Sequence, residues 1–301
     1  MTVEVSAQKA TQLFKKHKEL ATPAIISATL SVILIIALLV LTGAYSLSTD
    51  LINLQNDWEQ SELPITFEEY LELQGYDLIA AIENLLTWTN FWIIIGLFFV
   101  KLALSWYLGC LAWAMIAKIK KHSKDSIWNI TNKYFFRYVG LHLVILVIIY
   151  IPFIAFLFGG LYMIFAVGNV LLGLGVFAIV GILLTIYMLG AIMRLIFTTP
   201  SLYDKNQGVT KTLTHAYHVT GHHFQHVLVV TLIAIALAFT AYYAGQNPAG
   251  DALGAALFSA HTAIVVLASL AVAIFVLIEA VIVTYERIFL YEAYHEHIKL
   301  K

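Results

Sequence analysis

Six long apolar stretches constrain the fold of this 301-residue chain more than any other feature of its sequence. A helix needs about 20 apolar residues to cross the hydrocarbon core of a bilayer, which is roughly 30 Å thick. The stretches are continuous, without the alternation of polar and apolar residues that is typical of transmembrane β-strands. We therefore predict six transmembrane helices, over residues 23–45, 91–116, 138–158, 165–197, 227–243 and 264–285.

The composition predicts the same class of protein. Hydrophobic residues make up 61% of the chain and charged residues only 12%, whereas an average soluble domain has about 25% charged residues. Such a chain has too little polar surface to enclose a water-soluble core. We therefore expect an all-α polytopic membrane bundle, a single six-span domain over residues 1–301, with the lipid bilayer as its surroundings and no nucleic-acid partner. The one cysteine, Cys110, can form no intrachain disulfide.

Lysine and arginine are confined to one side of the predicted membrane. Of the 17 basic residues, 16 lie in the N-terminal segment, in the loops after spans two and four, and in the C-terminal segment. The opposite loops, 46–90, 159–164 and 244–263, contain none and hold ten Asp and Glu residues. Cytoplasmic loops of membrane proteins are enriched in Lys and Arg. We therefore predict a multi-pass protein of the cell (plasma) membrane with both termini in the cytoplasm.

The segments between the spans also predict helices. In the acidic, extracytoplasmic loop 46–90, Thr66 and Glu69 have the spacing of a capping box, Gly75 is placed to end that helix, and Asp77 to begin another. This loop is expected to be a helical lid over the bundle, with a recognition surface as the alternative. Residues 122–137 and 202–226 each predict an amphipathic helix in the cytoplasmic headgroup region.

Three stretches carry a resemblance to a known family: KKHKELATPAI before span one, SKDSIWNITNKYFFRYVGLHLV before span three, and RLIFTTPSLYDKNQGVTKTLTHAYHVTGHHFQHVLVV before span five. The layout is similar to an uncharacterised family of six-helix membrane proteins, related to the membrane domain fused to some glycerophosphodiester phosphodiesterases. The resemblance implies a six-helix fold, and it carries over no catalytic residues because none are assigned in such membrane domains. The chain has no segment of the size that the phosphodiesterase barrel needs.

Three ionisable side chains lie inside or at the ends of predicted spans. Such residues cost on the order of 3 kcal/mol each at mid-depth, so a partner or a wet cavity is expected. Arg194 and Glu279 lie at similar depth, near the cytoplasmic ends of spans four and six, and we predict that they form an intramembrane ion pair. This pair either holds the helices together or serves a transporter. Lys101, in span two, is expected to extend outward toward Glu83 or the acidic loop.

Five histidines fall in the stretch THAYHVTGHHFQH: His215, His218, His222, His223 and His226. On one helix, four of them share a face, and the His-x3-His spacing suits a metal ion. The glutamate base of a zincin is absent, only one box of a di-iron enzyme is present, and Gly221 predicts a break in the helix. We therefore expect a helix that faces the headgroups and holds no cofactor, with a metal site as the alternative.

These observations predict a non-catalytic membrane protein that organises lipids or assists a membrane-protein partner. The first alternative is a transporter of small solutes or ions that uses the region of Arg194 and Glu279. The second is a metal-dependent membrane enzyme at His215–His226. A transporter is expected to have a continuous polar cavity at the bundle midplane, and an enzyme needs polar groups that converge from several segments.

Overall fold

A computed structural model describes residues 2–61, 63–166, 170–222, 224–259 and 262–299. The structure is 91% helical, and no strand occurs within these ranges. The α-helices are α1 (Thr2–Lys16), α2 (Thr22–Leu41), α3 (Ala44–Gln60), α4 (Phe67–Leu73), α5 (Leu78–Leu85), α6 (Trp88–Lys121), α7 (Ile127–Ala166), α8 (Val170–Leu195), α9 (Thr198–Lys205), α10 (Val209–Thr220), α11 (Phe224–Ala241), α12 (Asn247–Phe258) and α13 (Thr262–Lys299). A 3-10 turn (Lys18–Ala21) precedes α2, and a π-helical segment (Tyr242–Gln246) joins α11 to α12.

Six helical stretches in the described part of the chain are long and apolar enough to cross a membrane. They are Lys18–Leu41, Trp88–Lys121, Ile127–Gly159, Leu174–Lys205, Phe224–Leu257 and Ile264–Lys299. Their lengths, from 24 to 36 residues, exceed what the hydrocarbon core requires. This finding confirms the prediction of an all-α polytopic bundle with six spans.

The chain divides into two compact units. Unit 1 comprises Met1–Thr22, Gly109–Phe239 and Ile282–Lys301, and unit 2 comprises Pro23–Leu108 and Thr240–Val281. Unit 1 holds 16 Lys and Arg residues against seven Asp and Glu, whereas unit 2 holds one against 11. The uneven distribution of charge along the sequence therefore coincides with the division of the fold.

Unit 1 contains the best packed core of the described chain. The largest fully buried side chains all belong to it, and Tyr203, Tyr291, Tyr294, Phe197 and Phe289 head that group. They come from α9, from the C-terminal part of α13 and from the residues that lead into α9. Aromatic side chains bury a large area each, so this cluster stabilises the ends of the helices that carry the lysines.

The segments that lead into spans three and five differ from each other. Residues 127–137 are not a separate helix, because α7 continues from Ile127 to Ala166 without a break. Ile130 and Tyr134, two apolar residues of this segment, are buried in the protein. No glycine or proline occurs from Ile127 up to Gly140, which already lies in predicted span three. The sequence therefore contains nothing that would end the helix between the two segments. Residues 209–220 do form a separate helix, α10.

The fifth span is longer than the sequence predicts. The sequence predicts an end at Tyr243, but the chain stays helical through Gly245, Asn247 and Pro248 to Phe258. Two local features accommodate these residues. The π-helical segment absorbs the irregularity around Gly245, and Pro248 lies in the first turn of α12, where a missing N–H is tolerated. The last helix likewise runs on, past the predicted end of span six at Tyr285, to Lys299.

The acidic loop of unit 2 folds as three helices, α3, α4 and α5. The capping box is confirmed: Thr66 Oγ1 accepts a hydrogen bond from the Glu69 N–H, and the Glu69 carboxylate accepts one from the Thr66 N–H. Gly75 has a positive φ of 69° after α4, and the Asp77 carboxylate caps α5. Both helix ends lie where the sequence predicts them.

Candidate functional site

One cavity of unit 1 lies where α6 turns into α7. It has a volume of about 300 Å³. We call it the lysine pocket, and its lining residues are Ala117, Lys118, Lys121, Ser123, Asp125, Asn129, Ile130, Lys133, Tyr134 and Tyr203. Three lysines and one aspartate therefore face a single cavity, whereas the sequence showed only a loop with several lysines.

A tight turn brings the two walls of the lysine pocket together. Helix α6 ends at Lys121, and His122 adopts a left-handed conformation with a φ of 49°. The Ser123 N–H then donates to the Lys118 carbonyl over 3.1 Å. Ser123 Oγ accepts from the Asp125 N–H over 3.2 Å and donates to the Asp125 carboxylate over 3.3 Å. These bonds fix the short connection, so the pocket is a consequence of local turn chemistry.

Lys121 joins the pocket to α9. Its Nζ donates to the carbonyl oxygens of Tyr203 and Asp204 over 2.8 Å and 2.5 Å, and it lies 3.8 Å from the Asp204 carboxylate. Lysines are favoured near helix C-termini, where carbonyl groups lack partners within the helix. Lys121 therefore has a structural role, because it joins the end of α6 to the end of α9. Lys118 and Lys133 form no ion pair within the described ranges. The Nζ atom of Lys133 lies 5.9 Å from the ring centre of Tyr134.

The floor of the lysine pocket is a buried aromatic cluster. Tyr203 is 1% exposed, and its hydroxyl donates to the Cys110 carbonyl over 3.0 Å, with Cys110 Sγ 2.9 Å away. Its ring lies 4.8 Å from that of Tyr134 and 6.4 Å from that of Trp113, centre to centre. The floor is therefore held by packing and by hydrogen bonds. Cys110 is fully buried, which makes it an inert packing residue rather than a reactive thiol.

Ion pairs join the C-terminal part of α13 to α1 and α6. Lys9 Nζ lies 2.5 Å from Glu296 Oε1, and Lys120 pairs with Glu292, whose side chain is 3% exposed. The hydrogen bond to Glu296 raises the pKa of Lys9 above its ordinary value. Thr11 and Tyr285 also approach each other, with their hydroxyl oxygens 3.4 Å apart. These contacts tie both ends of the chain to one side of unit 1.

The histidine stretch is divided between two helices. Helix α10 ends at Thr220 and α11 begins at Phe224, which confirms the predicted break at Gly221. On α10, His215 Nε2 lies 3.3 Å from the Tyr294 hydroxyl. On α11, the buried His226 stacks on His297, with ring centres 5.1 Å apart, and His297 Nε2 lies 2.8 Å from the Val219 carbonyl.

The remaining histidines of the stretch do not join these contacts. His218 and His222 are exposed, and His223 lies outside the described residues. Within the described ranges, no group of three or more His, Cys, Asp or Glu side chains is arranged to hold a metal ion. The metal-site alternative and the expectation of no cofactor both stay predictions.

We expect the purified protein to carry no stoichiometric transition metal. The physical reason is that His215 and His226 approach Tyr294 and His297, so the stretch does not present its imidazoles to one point. Elemental analysis of protein purified without a histidine tag checks this. One zinc, iron or copper per chain, lost in the His218→Ala and His222→Ala variants, would contradict it.

Arg194 forms contacts that the sequence did not reveal. Its guanidinium lies over the ring of Tyr217, 4.5 Å from the ring centre, and donates to the Tyr217 carbonyl over 3.4 Å. Tyr217 is exposed, so this cation–π contact lies at the surface of unit 1. Arg194 thus fastens the end of α8 to α10.

Glu279 and Lys101 belong to unit 2. Lys101 lines a narrow pocket with Ser27, Ser31 and Ser105, and it attracts the Glu279 carboxylate electrostatically. The expected extension of Lys101 toward Glu83 is not among the contacts of the described residues. The ion pair between Arg194 and Glu279 involves both units and stays a prediction.

The sequence singled out arginine, glutamate and histidine residues, and it missed the lysine pocket. The available signal was the recurrence of lysine at positions 118, 121 and 133 on either side of a Ser-x-Asp turn. The chain matches no known protein-family model, no curated protein and no solved structure. The resemblance to the six-helix family therefore stays an expectation that the quoted stretches alone support.

Proposed function

We propose that the chain is a non-catalytic multi-pass protein of the cell membrane that organises anionic lipids around the end of unit 1 where its lysines lie. The observation that carries this proposal is the lysine pocket, in which three lysines and one aspartate line a cavity of about 300 Å³. Lysine clusters next to membrane spans attract anionic headgroups, at about 1 kcal/mol per basic residue near the surface. Assistance to a membrane-protein partner is the broader form of the same proposal.

The surface beside the lysine pocket supports an interfacial role. Trp128 and Phe136, on the first turns of α7, are 55% and 82% exposed. Aromatic side chains are enriched at the level of the headgroups, because their rings are apolar and their edges tolerate water. An exposed tryptophan beside several lysines is therefore typical of a surface that contacts both headgroups and the upper acyl chains.

Three of the seven acidic side chains of unit 1 have lysine partners, which favours a structural role over a catalytic one for them. Glu296 pairs with Lys9 and Lys299, Glu292 with Lys120, and Asp204 lies within 3.8 Å of Lys121. A carboxylate that already has a lysine partner is a weaker general base than a free one, because the ion pair stabilises its charged form. These groups are accounted for as contacts between helices.

Lipid selectivity in reconstituted membranes tests the proposal. We expect spin-labelled phosphatidylglycerol to show a larger motionally restricted fraction around the protein than spin-labelled phosphatidylcholine. Added salt is expected to reduce the difference, since exposed charges are screened within about 8 Å at 0.15 M ionic strength. Equal restricted fractions for the two lipids at low salt would overturn the proposal.

The proposal also requires that the lysine-rich end faces the cytoplasm. We expect a cysteine at Asp57 (Asp57→Cys) to react with an impermeant thiol reagent added to intact cells, and a cysteine at Ser123 (Ser123→Cys) not to react. The unsubstituted chain is the control, because its one cysteine, Cys110, is buried. Labelling of the Ser123 variant but not of the Asp57 variant would reverse the orientation.

The two alternatives are less well supported. A transporter that uses Arg194 and Glu279 needs a polar cavity near these groups, but the pocket beside Lys101 in unit 2 contains no water-sized void. A metal-dependent enzyme at His215–His226 needs ligands that converge. Among the described residues, the imidazoles at the two ends of that stretch contact different side chains.

A further inference from the structure

We propose that the lysine pocket is a binding site for one phospholipid, which places its headgroup phosphate between Lys118 and Lys133. This inference rests on the proposed function and makes it more specific. The proposed function needs only a general preference for anionic lipids, whereas the pocket predicts one lipid that is held in a defined place.

The charges of the pocket suit a phosphate. Lys118, Lys121 and Lys133 face the cavity, and Asp125 is the one acidic residue that lines it. Lys121 is engaged by the carbonyl oxygens of Tyr203 and Asp204. Lys118 and Lys133 are therefore the two ammonium groups left to bind a ligand, and their two positive charges are balanced by one phosphodiester together with the Asp125 carboxylate.

The neutral groups of the pocket suit the remaining phosphate oxygens. The Asn129 side-chain amide lines the cavity and can donate hydrogen bonds to an oxyanion, whereas the Ser123 hydroxyl, which also lines it, donates to Asp125. Asn129 and Ile130 belong to the first turn of α7, and the N-terminus of a helix carries a partial positive charge that favours anions. Lysines, an amide and a helix terminus therefore act in the same direction.

The size and walls of the pocket favour a lipid over a small free anion. A volume of about 300 Å³ is roughly ten times the ~30 Å³ that one water molecule occupies in the liquid. Ala117, Ile130 and Tyr134 add apolar surface to the lining. Helices α6 and α7 continue from the pocket into apolar spans, so acyl chains can lie along them while the phosphate stays with the lysines.

A substitution at Asp125 is expected to change lipid affinity in the opposite direction to the lysine substitutions. Its carboxylate lies in the same cavity as the proposed phosphate, so it opposes binding of an anion. Ser123 Oγ also donates to this carboxylate. Replacement by asparagine removes the negative charge but keeps an acceptor for the serine hydroxyl, and lipid binding is therefore expected to strengthen.

Native mass spectrometry of the delipidated, full-length protein in detergent tests the site, with phosphatidylglycerol and phosphatidylcholine as probes. We expect one phosphatidylglycerol to bind more tightly than phosphatidylcholine. The Lys118→Gln/Lys133→Gln variant is expected to weaken that binding about tenfold or more, and Asp125→Asn to strengthen it. Lys124→Gln is the matched control, since Lys124 is exposed in the same loop but does not line the pocket, and its affinity is expected to stay unchanged.

The outcomes separate this inference from the proposed function. The inference is overturned if Lys124→Gln weakens binding as much as Lys118→Gln or Lys133→Gln does alone, because the lipid then responds to net charge and not to the pocket. It is also overturned if inorganic phosphate displaces phosphatidylglycerol at equal concentration, because the site then takes free phosphate. If spin-labelled lipids still show anionic selectivity in either case, the proposed function survives without this site. If that selectivity is absent as well, both fail.

Discussion

Gly245→Ala is expected to destabilise the protein by about 3 kcal/mol, at the upper end of what overpacking of a tight contact costs. A Cβ atom at Gly245 would lie 2.6 Å from Glu279 Cβ and 2.9 Å from both the Cα and the N of Glu279. Two of these three atoms belong to the backbone of α13 and cannot rotate away. The π-helical segment and α13 would therefore have to separate within unit 2.

Gly254→Ala is the matched control for this substitution. Gly254 lies on α12, nine residues after Gly245 in the same span. A Cβ atom added at Gly254 would meet no atom within 4 Å. Alanine is favoured over glycine inside a helix by up to about 1 kcal/mol, so this variant should be neutral or slightly stabilised. Equilibrium unfolding in mixed micelles measures both variants. Equal stabilities would show that α13 does not pack closely on Gly245.

The second large effect is expected at the pair of Lys120 and Glu292. Glu292 is 3% exposed, whereas Lys120 is 31% exposed. Lys120→Met leaves a carboxylate buried without its partner, and we expect a loss of about 3 kcal/mol. Glu292→Gln is expected to cost less, because the ammonium group of Lys120 can still reach water. The double variant should recover most of the loss.

Thermal unfolding in detergent, followed by intrinsic fluorescence, measures this series. Lys124→Met is the control, because Lys124 is exposed and forms no ion pair within the described part of the chain. Losses that simply add in the double variant would mean that the two groups do not stabilise each other. A loss for Lys124→Met as large as that for Lys120→Met would mean that general charge, and not the buried carboxylate, is responsible.

Features that depend on short stretches of sequence could be predicted. The spans follow from the length of apolar runs, and the capping box follows from the spacing of Thr66 and Glu69. The break at Gly221 follows from the low helix propensity of glycine, and α10 does end beside it. In each case the physical cause acts within a few residues or through the bilayer as a solvent.

Features that depend on distant contacts could not be predicted. The floor of the lysine pocket comes from Tyr203, which bonds to Cys110, 93 residues away in sequence. The lysines alone predict an ordinary cytoplasmic loop, because no residue near them in sequence indicates that α9 completes a cavity with them. His226 likewise stacks on His297, from the other end of the chain. The sequence analysis singled out His226, but the sequence contains no sign of its contact with His297.

An electron cryo-microscopy map of the protein in nanodiscs that contain phosphatidylglycerol tests the central claim most directly. The account predicts six helices across the disc, the lysine pocket at the level of the headgroups, and phosphate density between Lys118 and Lys133. The density is expected to be absent in the Lys118→Gln/Lys133→Gln variant and present in Lys124→Gln. A pocket that lies away from the headgroups, or one that stays without lipid density in a map that resolves its side chains, would contradict the account.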